Sequence, residues 1–114
     1  MRGFSYHAFT AFQNNSGMSA QAVAEVIGIP ERTLARRKVA DRLAPEESER
    51  LLRISSIFEK AVDLFEGEVA SAVNWLSTPK RALENQSPLQ YARTEVGARE
   101  VENLIGRLEN GVFS

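Results

Sequence analysis

Apolar residues near the end of the chain recur at three- and four-residue steps, which is the spacing of one helix face. Thr94 is suited to cap the start of this helix, since its hydroxyl can accept from free N–H groups of the first turn. Gly111 is suited to end it, because glycine takes the left-handed conformation without penalty. We therefore predict an amphipathic terminal helix. Its apolar stripe consists of Val101, Leu104, Ile105, Leu108 and Val112.

A longer stripe follows Pro45 and continues until Gly67, with acidic residues in the first turns where the helix dipole favours negative charge. A helix of about 21 residues would be roughly 30 Å long, which is long for so small a chain. We expect it to be the central strut of a C-terminal domain and part of a homodimer interface. The stripe contains Leu51, Ile54, Phe58, Ala61, Val62 and Phe65, widened by Leu52, Ile57 and Leu64.

Shorter helices are predicted in the rest of the chain. The first runs from about Ser5 to Gln13, and its aromatic residues are interpreted as core rather than as a platform for bases. Val39 to Ala44 is predicted to be a connector, and Val69 to Leu76 a helix with Trp75 in the core. A short capped helix is predicted from Pro88 to about Arg93. The fold class is therefore all-α. The aromatics of the first helix region are Phe4, Tyr6, Phe9 and Phe12, and the other core candidates of residues 69–76 are Ala70, Val73 and Leu76.

The segment from Ser19 to Lys38 has the spacing of a helix-turn-helix. Gly28 allows the tight turn, Ala24 lies four residues before it where two helices cross closely, and Leu34 lies six residues after it. Arginine can form a bidentate (two-armed) pair with guanine, so exposed positions of the second helix are candidates for base contacts. Three other positions are candidates for phosphate contacts. The candidate DNA-binding residues are Ser19, Gln21, Arg32, Thr33, Arg36, Arg37 and Lys38.

Arg37 stands where a longer recognition helix usually has an apolar residue, so we expect this helix to end near Lys38 or Val39. The alternative is a module kept for structure or dimerisation that no longer reads DNA sequence.

Composition restricts the possible chemistry. The net charge is −1, so any affinity for nucleic acid depends on the local excess of basic residues between Arg32 and Arg42. There is no cysteine and His7 is the only histidine, which excludes a thiolate metal site and argues against any metal ligand role. No glycine-rich phosphate loop, HExxH motif or serine elbow is present, so we expect neither enzyme activity nor a cofactor. Short apolar runs predict no membrane span or signal peptide, and hence a cytoplasmic protein.

A set of residues in the C-terminal part of the chain stands at fixed spacing: Trp75, Leu76, Pro79, Ala82, Leu83, Pro88, Leu89, Thr94, Gly97, Ala98, Val101, Leu104, Ile105 and Gly111. This series resembles the C-terminal toxin-binding domain of the Xre/MbcA/ParS antitoxin family, and the resemblance extends from about Leu43 to Ser114. One departure is Gly106 in the middle of the terminal helix, which costs roughly 1 kcal/mol relative to alanine, and we expect there either a close backbone approach or simple tolerance.

The resemblance implies a bacterial type II antitoxin whose partner is a RES-domain toxin, an enzyme that consumes NAD. It also implies an N-terminal Xre-like module that represses the protein's own operon. We expect the tail to enter the toxin's NAD pocket, with two arginines on the terminal helix as further contacts. The candidate toxin-binding residues are Arg99, Arg107, Glu109, Asn110, Gly111, Val112, Phe113 and Ser114.

These inferences together predict a DNA-binding module over residues 1–42 and a toxin-binding and dimerisation domain over residues 43–114. The partners would be a RES-domain toxin and operator DNA, in a toxin–antitoxin complex that contains a homodimer. The alternative function is a free-standing helix-turn-helix transcriptional regulator without a toxin.

Overall fold

A computed structural model describes residues 3–111, and the regular elements in this range are all helical, as predicted. Outside the helices, one isolated antiparallel bridge joins Lys80 and Gln86. The chain divides into two compact units between Leu52 and Arg53, later than the expected boundary after residue 42. The helices are α1 (Tyr6–Ser16), α2 (Ala20–Val26), α3 (Glu31–Ala40), α4 (Pro45–Leu64), α5 (Val69–Ser77), α6 (Pro88–Tyr91) and α7 (Glu95–Glu109), with a 3-10 turn at Arg81–Leu83.

Helices α1 and α3 are longer than the sequence predicted. We expected α1 to end at Gln13, before a run of polar turn residues, but it continues to Ser16. Gly17 ends it, with φ of 75° and its N–H bonded to the carbonyl of Gln13. The prediction was wrong because one glycine in the left-handed conformation, rather than the asparagines before it, closes this helix. Helix α3 likewise extends to Ala40, into the expected connector.

The N-terminal unit has a small apolar core. Of the aromatic residues near α1, Phe9 and Phe12 are buried, whereas Phe4 and Tyr6 are half-buried. Tyr6 stacks on Phe9 with ring centroids 5.2 Å apart, and burial raises the pKa of the Tyr6 phenol. Helix α1 packs on α2, and α2 packs on α3. The other buried apolar residues of this unit are Val23, Ala24, Ile27, Ile29, Leu43 and Leu51.

The C-terminal unit buries part of each predicted stripe on α4 and α7, together with short segments between them. The half-buried members of the stripes are Val62, Leu64, Phe65, Leu104 and Leu108. On α4, Ile57 is buried as predicted, but Leu52, in the last turn before this unit, is 56% exposed. The exposed residue lies opposite the main stripe, so the stripe is narrower than expected. Helices α5 and α6 pack together, as do α6 and α7. The buried apolar residues here are Ile54, Ile57, Phe58, Ala61, Ala72, Leu76, Leu83, Leu89, Ala92, Ala98, Val101 and Ile105.

Trp75 was predicted to be a core residue, and this prediction is wrong. Its side chain is half-buried, and the amine of Lys80 lies 4.8 Å from the centroid of its ring. Partial burial lowers the pKa of that amine. In α5 Leu76 is buried as predicted and Val73 is half-buried, but Ala70 is exposed and the buried Ala72 was not predicted. The predicted face was wrong by about one position around the helix, because small alanines give little indication of which side is covered.

The caps predicted for α6 and α7 are present. Ser87 and Gln90 form a reciprocal capping box at the start of α6, and the hydroxyl of Thr94 accepts from Gly97 N–H at 2.9 Å. A Cβ on Gly97 would lie 1.8 Å from the carbonyl oxygen of Tyr91, so only glycine allows the start of α7 this close to the end of α6. A Cβ on Gly106 would meet nothing within 4 Å, so that glycine is tolerated and marks no close approach.

Candidate functional site

Helices α2 and α3 and the turn between them form the helix-turn-helix. The hydroxyl of Ser19 accepts from Ala22 N–H at 3.1 Å and fixes the start of α2. Gly28 has φ of 75°, which turns the chain, and Ile29 is 4% exposed between the helices. Ala24 is also 4% exposed, as its predicted place at the helix crossing requires. These residues fix the direction of α3 relative to α2.

The predicted DNA-binding residues occupy different environments. On α3, Arg32, Arg36 and Lys38 are exposed, as are Ser19 and Gln21 on the α2 side of the turn. Thr33 is half-buried and accepts a long hydrogen bond, 3.4 Å, from Nη2 of Arg36. The exposed residues can reach a ligand without rearrangement. These exposed positions are Ser19, Gln21, Arg32, Arg36 and Lys38.

Arg37 has a protein partner that the sequence did not predict. Its Nε donates to Oε1 of Glu47 at 2.8 Å, and its Nη2 donates to Oε2 at 3.1 Å. The Glu47 side chain is 9% exposed and that of Arg37 31%. This is a two-armed pair with both carboxylate oxygens engaged, which is the strong form of the arginine–carboxylate interaction. The guanidinium therefore does not stand free on α3 as the predicted base contact would require.

The Glu47 carboxylate is held in its charged form. Burial acts to raise its pKa, but hydrogen bonds from Arg37 and from Ala44 N–H, with the charges of Arg37 and Arg50, outweigh burial. The pKa of Glu47 is therefore lowered from its ordinary value of 4.5. The hydrogen bonds that Arg37 donates to Glu47 likewise raise the pKa of Arg37. The pair is stable as an ion pair at neutral pH.

Two further residues of α4 hold this unit together and were missed by sequence reasoning. Arg50 donates from Nε to the carbonyl oxygen of Ile27 at 2.7 Å, at the end of α2. Ser48 is fully buried, and its hydroxyl accepts from Phe4 N–H at 2.8 Å. For Glu47, by contrast, the sequence contained a signal: Arg37 is a charge at a normally apolar helix position, and such a charge needs a partner.

The predicted toxin-binding residues on α7 that the structure describes are exposed. Arg99 pairs with Glu95 at 3.3 Å, but both side chains are more than two-thirds exposed, at 75% and 72%. Such surface pairs contribute little to stability, so Arg99 is available to a partner. Val112, Phe113 and Ser114 lie outside the described residues. The exposed described positions are Arg99, Arg107, Glu109, Asn110 and Gly111.

Residues 3–111 contain no group of three or more histidine, cysteine, aspartate or glutamate side chains placed to hold a metal ion. Over the same residues, none of the helices combines the length and the apolar character needed to cross a membrane.

Comparison with known families places both units. Residues 1–56 match the Antitoxin Xre-like helix-turn-helix domain. Residues 60–111 match the Antitoxin Xre/MbcA/ParS C-terminal toxin-binding domain. The chain is also 43% identical over 113 residues to a protein named Antitoxin Xre from Yersinia enterocolitica, covering 98% of this chain and 76% of that protein. This chain belongs to the Xre family of antitoxins.

Two other relatives support the same membership. A protein named Antitoxin Xre from Photorhabdus laumondii is 36% identical over 103 residues, which are 90% of this chain and 70% of the relative. Another of that name, from Pseudomonas putida, is 37% identical over 84 residues, covering 73% of this chain and 52% of the relative. The prediction of a non-enzymatic antitoxin is confirmed by this membership. A helix-turn-helix domain and a toxin-binding domain follow one another in this antitoxin.

Proposed function

We propose that this antitoxin neutralises a RES-domain toxin that consumes NAD, and that it does so by covering the toxin's active site. The match of residues 60–111 to a toxin-binding domain is the observation that carries the proposal. The absence of catalytic motifs in the sequence agrees with an inhibitor that acts by occupying space rather than by chemistry.

The end of α7 is the part of the C-terminal unit that we assign to the toxin's pocket. Glu109, Asn110 and Gly111 are exposed where α7 ends. The tail beyond them carries an aromatic side chain at Phe113. An aromatic ring with nearby carboxylates has the shape and polarity to occupy a nucleotide pocket. Arg99 and Arg107 would contact the toxin's surface around it.

Co-expression with the product of the neighbouring gene tests the proposal. If the neighbour is a RES-domain protein, the two should purify as one complex, and the complex should leave cellular NAD intact. A neighbour of another kind, or two proteins that elute separately, would count against a RES-domain partner.

We further propose that α3 binds operator DNA and that the antitoxin represses its own operon. The exposed Arg32, Arg36 and Lys38 follow the turn at Gly28, where a recognition helix enters the major groove. Two copies in a homodimer would read a palindromic site, with the modules about 34 Å apart or at a multiple of that distance. The exposed basic side chains are the support for this proposal.

Binding to a fragment of the antitoxin's own promoter tests the second proposal. The purified protein should shift that fragment in the presence of excess unrelated DNA, and the protected region should have two-fold symmetry. Equal binding to both DNAs would contradict operator recognition.

A further inference from the structure

The first turns of α4 make polar contacts with three other segments of the N-terminal unit. Ser48 binds the backbone before α1, Arg50 binds the end of α2, and Glu47 binds α3 through Arg37. Arg37 binds both oxygens of the Glu47 carboxylate, and Oε1 also accepts from Ala44 N–H at 2.8 Å. Glu47 is therefore itself held in place at the start of α4, and it offers Arg37 a fixed partner.

The buried Ile29 holds the start of α3, but along its own length this helix has a small apolar face. None of the residues of α3 is fully buried, and among its apolar residues only Leu34 is half-buried. Val39, further along, is 89% exposed. A helix with so small an apolar face gains little further orientation from packing along its own length. A two-armed ion pair fixes both distance and angle, which a single-point contact does not.

We propose that Arg37 is a positioning residue: it does not contact DNA and, through its pair with Glu47, holds α3 in the orientation that operator recognition requires. This inference rests on the proposed binding of operator DNA by α3. It separates two adjacent arginines by role, with Arg36 turned to the ligand and Arg37 turned to the protein.

The substitution Arg37→Lys distinguishes positioning from a phosphate contact, and Glu47→Gln, which leaves Arg37 in place, distinguishes positioning from a base contact. Lysine keeps the positive charge and would serve a phosphate contact, but it cannot form the two-armed pair. We expect operator affinity to fall by about tenfold, which is the scale of coupling between residues of one ion pair and its network. Affinity for random-sequence duplex should not change. Unchanged operator affinity in Arg37→Lys would overturn the inference.

A double variant, Arg37→Gln with Glu47→Gln, has the same net charge as the natural protein and gives a second test. Operator affinity should fall as far as in either single variant, because all three lose the same pair. The dependence of random-duplex binding on salt should stay the same. A phosphate contact by Arg37 would instead lower the slope of log K against log salt by about 0.9, and that result would overturn the inference.

Folding and the underlying function are controlled separately. Denaturant unfolding of each variant shows the conditions in which it is folded, and Arg37→Lys decides the question if the double variant does not fold. Arg36→Gln is the matched control, since it removes a neighbouring exposed arginine. If Arg36→Gln weakens operator binding and Arg37→Lys does not, only the positioning role is wrong. If Arg36→Gln has no effect either, the proposed operator recognition by α3 is wrong and the inference falls with it.

Discussion

Arg50 of α4 closes the C-terminal end of α2 at Ile27, where its Nε donates to the backbone carbonyl at 2.7 Å. A helix leaves its last carbonyl groups without partners inside the helix, and a buried one is costly unless another group satisfies it. The side chain also passes under Gly28, with Nε 3.7 Å from the position that a Cβ would occupy. Arg50 therefore stabilises the turn of the helix-turn-helix through its contacts with Ile27 and Gly28.

Replacing Arg50 with methionine should destabilise the N-terminal unit. The apolar stem is kept, but the carbonyl of Ile27 loses its donor, which costs about 1 to 3 kcal/mol when the group stays buried. The free energy of unfolding in urea measures the effect. Glu49→Gln, at the adjacent exposed position on the same helix, is the control and should change stability little. Equal effects of the two substitutions would show that Arg50 does not support the turn.

Two glycines of α7 should respond in opposite ways to alanine. Gly97→Ala should destabilise the C-terminal unit by more than about 1 kcal/mol, because its Cβ would collide with the carbonyl of Tyr91 and one of the two helices must move. Gly106→Ala should stabilise it by up to about 1 kcal/mol, since the helix gains propensity and the site is open. Thermal and urea unfolding measure both. A destabilised Gly106→Ala variant would contradict the open environment of that glycine.

The Glu47 pair should make stability depend on pH in the acid range. The folded state lowers the pKa of this carboxyl, so the unfolded chain binds more protons and stability falls as pH falls below the ordinary value of 4.5. Above that value the contribution is fully present. The measurement is the free energy of unfolding against pH for the natural protein and for Glu47→Gln. The difference between them should shrink as the solution is acidified, and a constant difference would exclude a charged Glu47 as its source.

Operator recognition should depend on where positive charge is removed. Substituting alanine for both Arg32 and Arg36 should abolish preference for the operator, because each two-armed contact to guanine contributes about 1 to 3 kcal/mol of discrimination. Substituting alanine for both Arg99 and Arg107 removes the same charge from α7 and should leave operator preference intact. Gel shifts with operator and scrambled duplexes compare the two variants. A selective shift by the first variant would remove α3 from the recognition surface.

Much of the fold could be predicted because capping residues in the sequence mark where several helices begin. The caps at Ser19, Ser87 and Thr94 were identified from single residues, and each hydroxyl accepts from the N–H of the third residue of its helix. The stripe of α7 was equally readable. The end of α1 was predicted less well, because the asparagines that precede Gly17 favour turns but also tolerate a last helical turn.

The candidate DNA-binding surface was only partly predictable, since exposure of an arginine depends on contacts distant in sequence. Arg36 and Arg37 were both predicted to contact DNA, yet Glu47, ten positions after Arg37, engages Arg37 and not Arg36. Periodicity places a residue on a face of its own helix but does not show what lies against that face. The half-exposed Trp75 was misassigned for the same reason.

The most direct test of the central claim is NAD consumption by the RES-domain toxin that we propose as the partner, measured with and without this chain at equal molar amounts. The full chain should stop NAD loss, and a chain that ends at Leu108 should fold but fail to protect NAD, because the end of α7 and the tail are missing. Circular dichroism confirms folding of the shortened chain. NAD loss at the same rate with and without the full chain would contradict the account, and protection by the shortened chain would remove the tail from it.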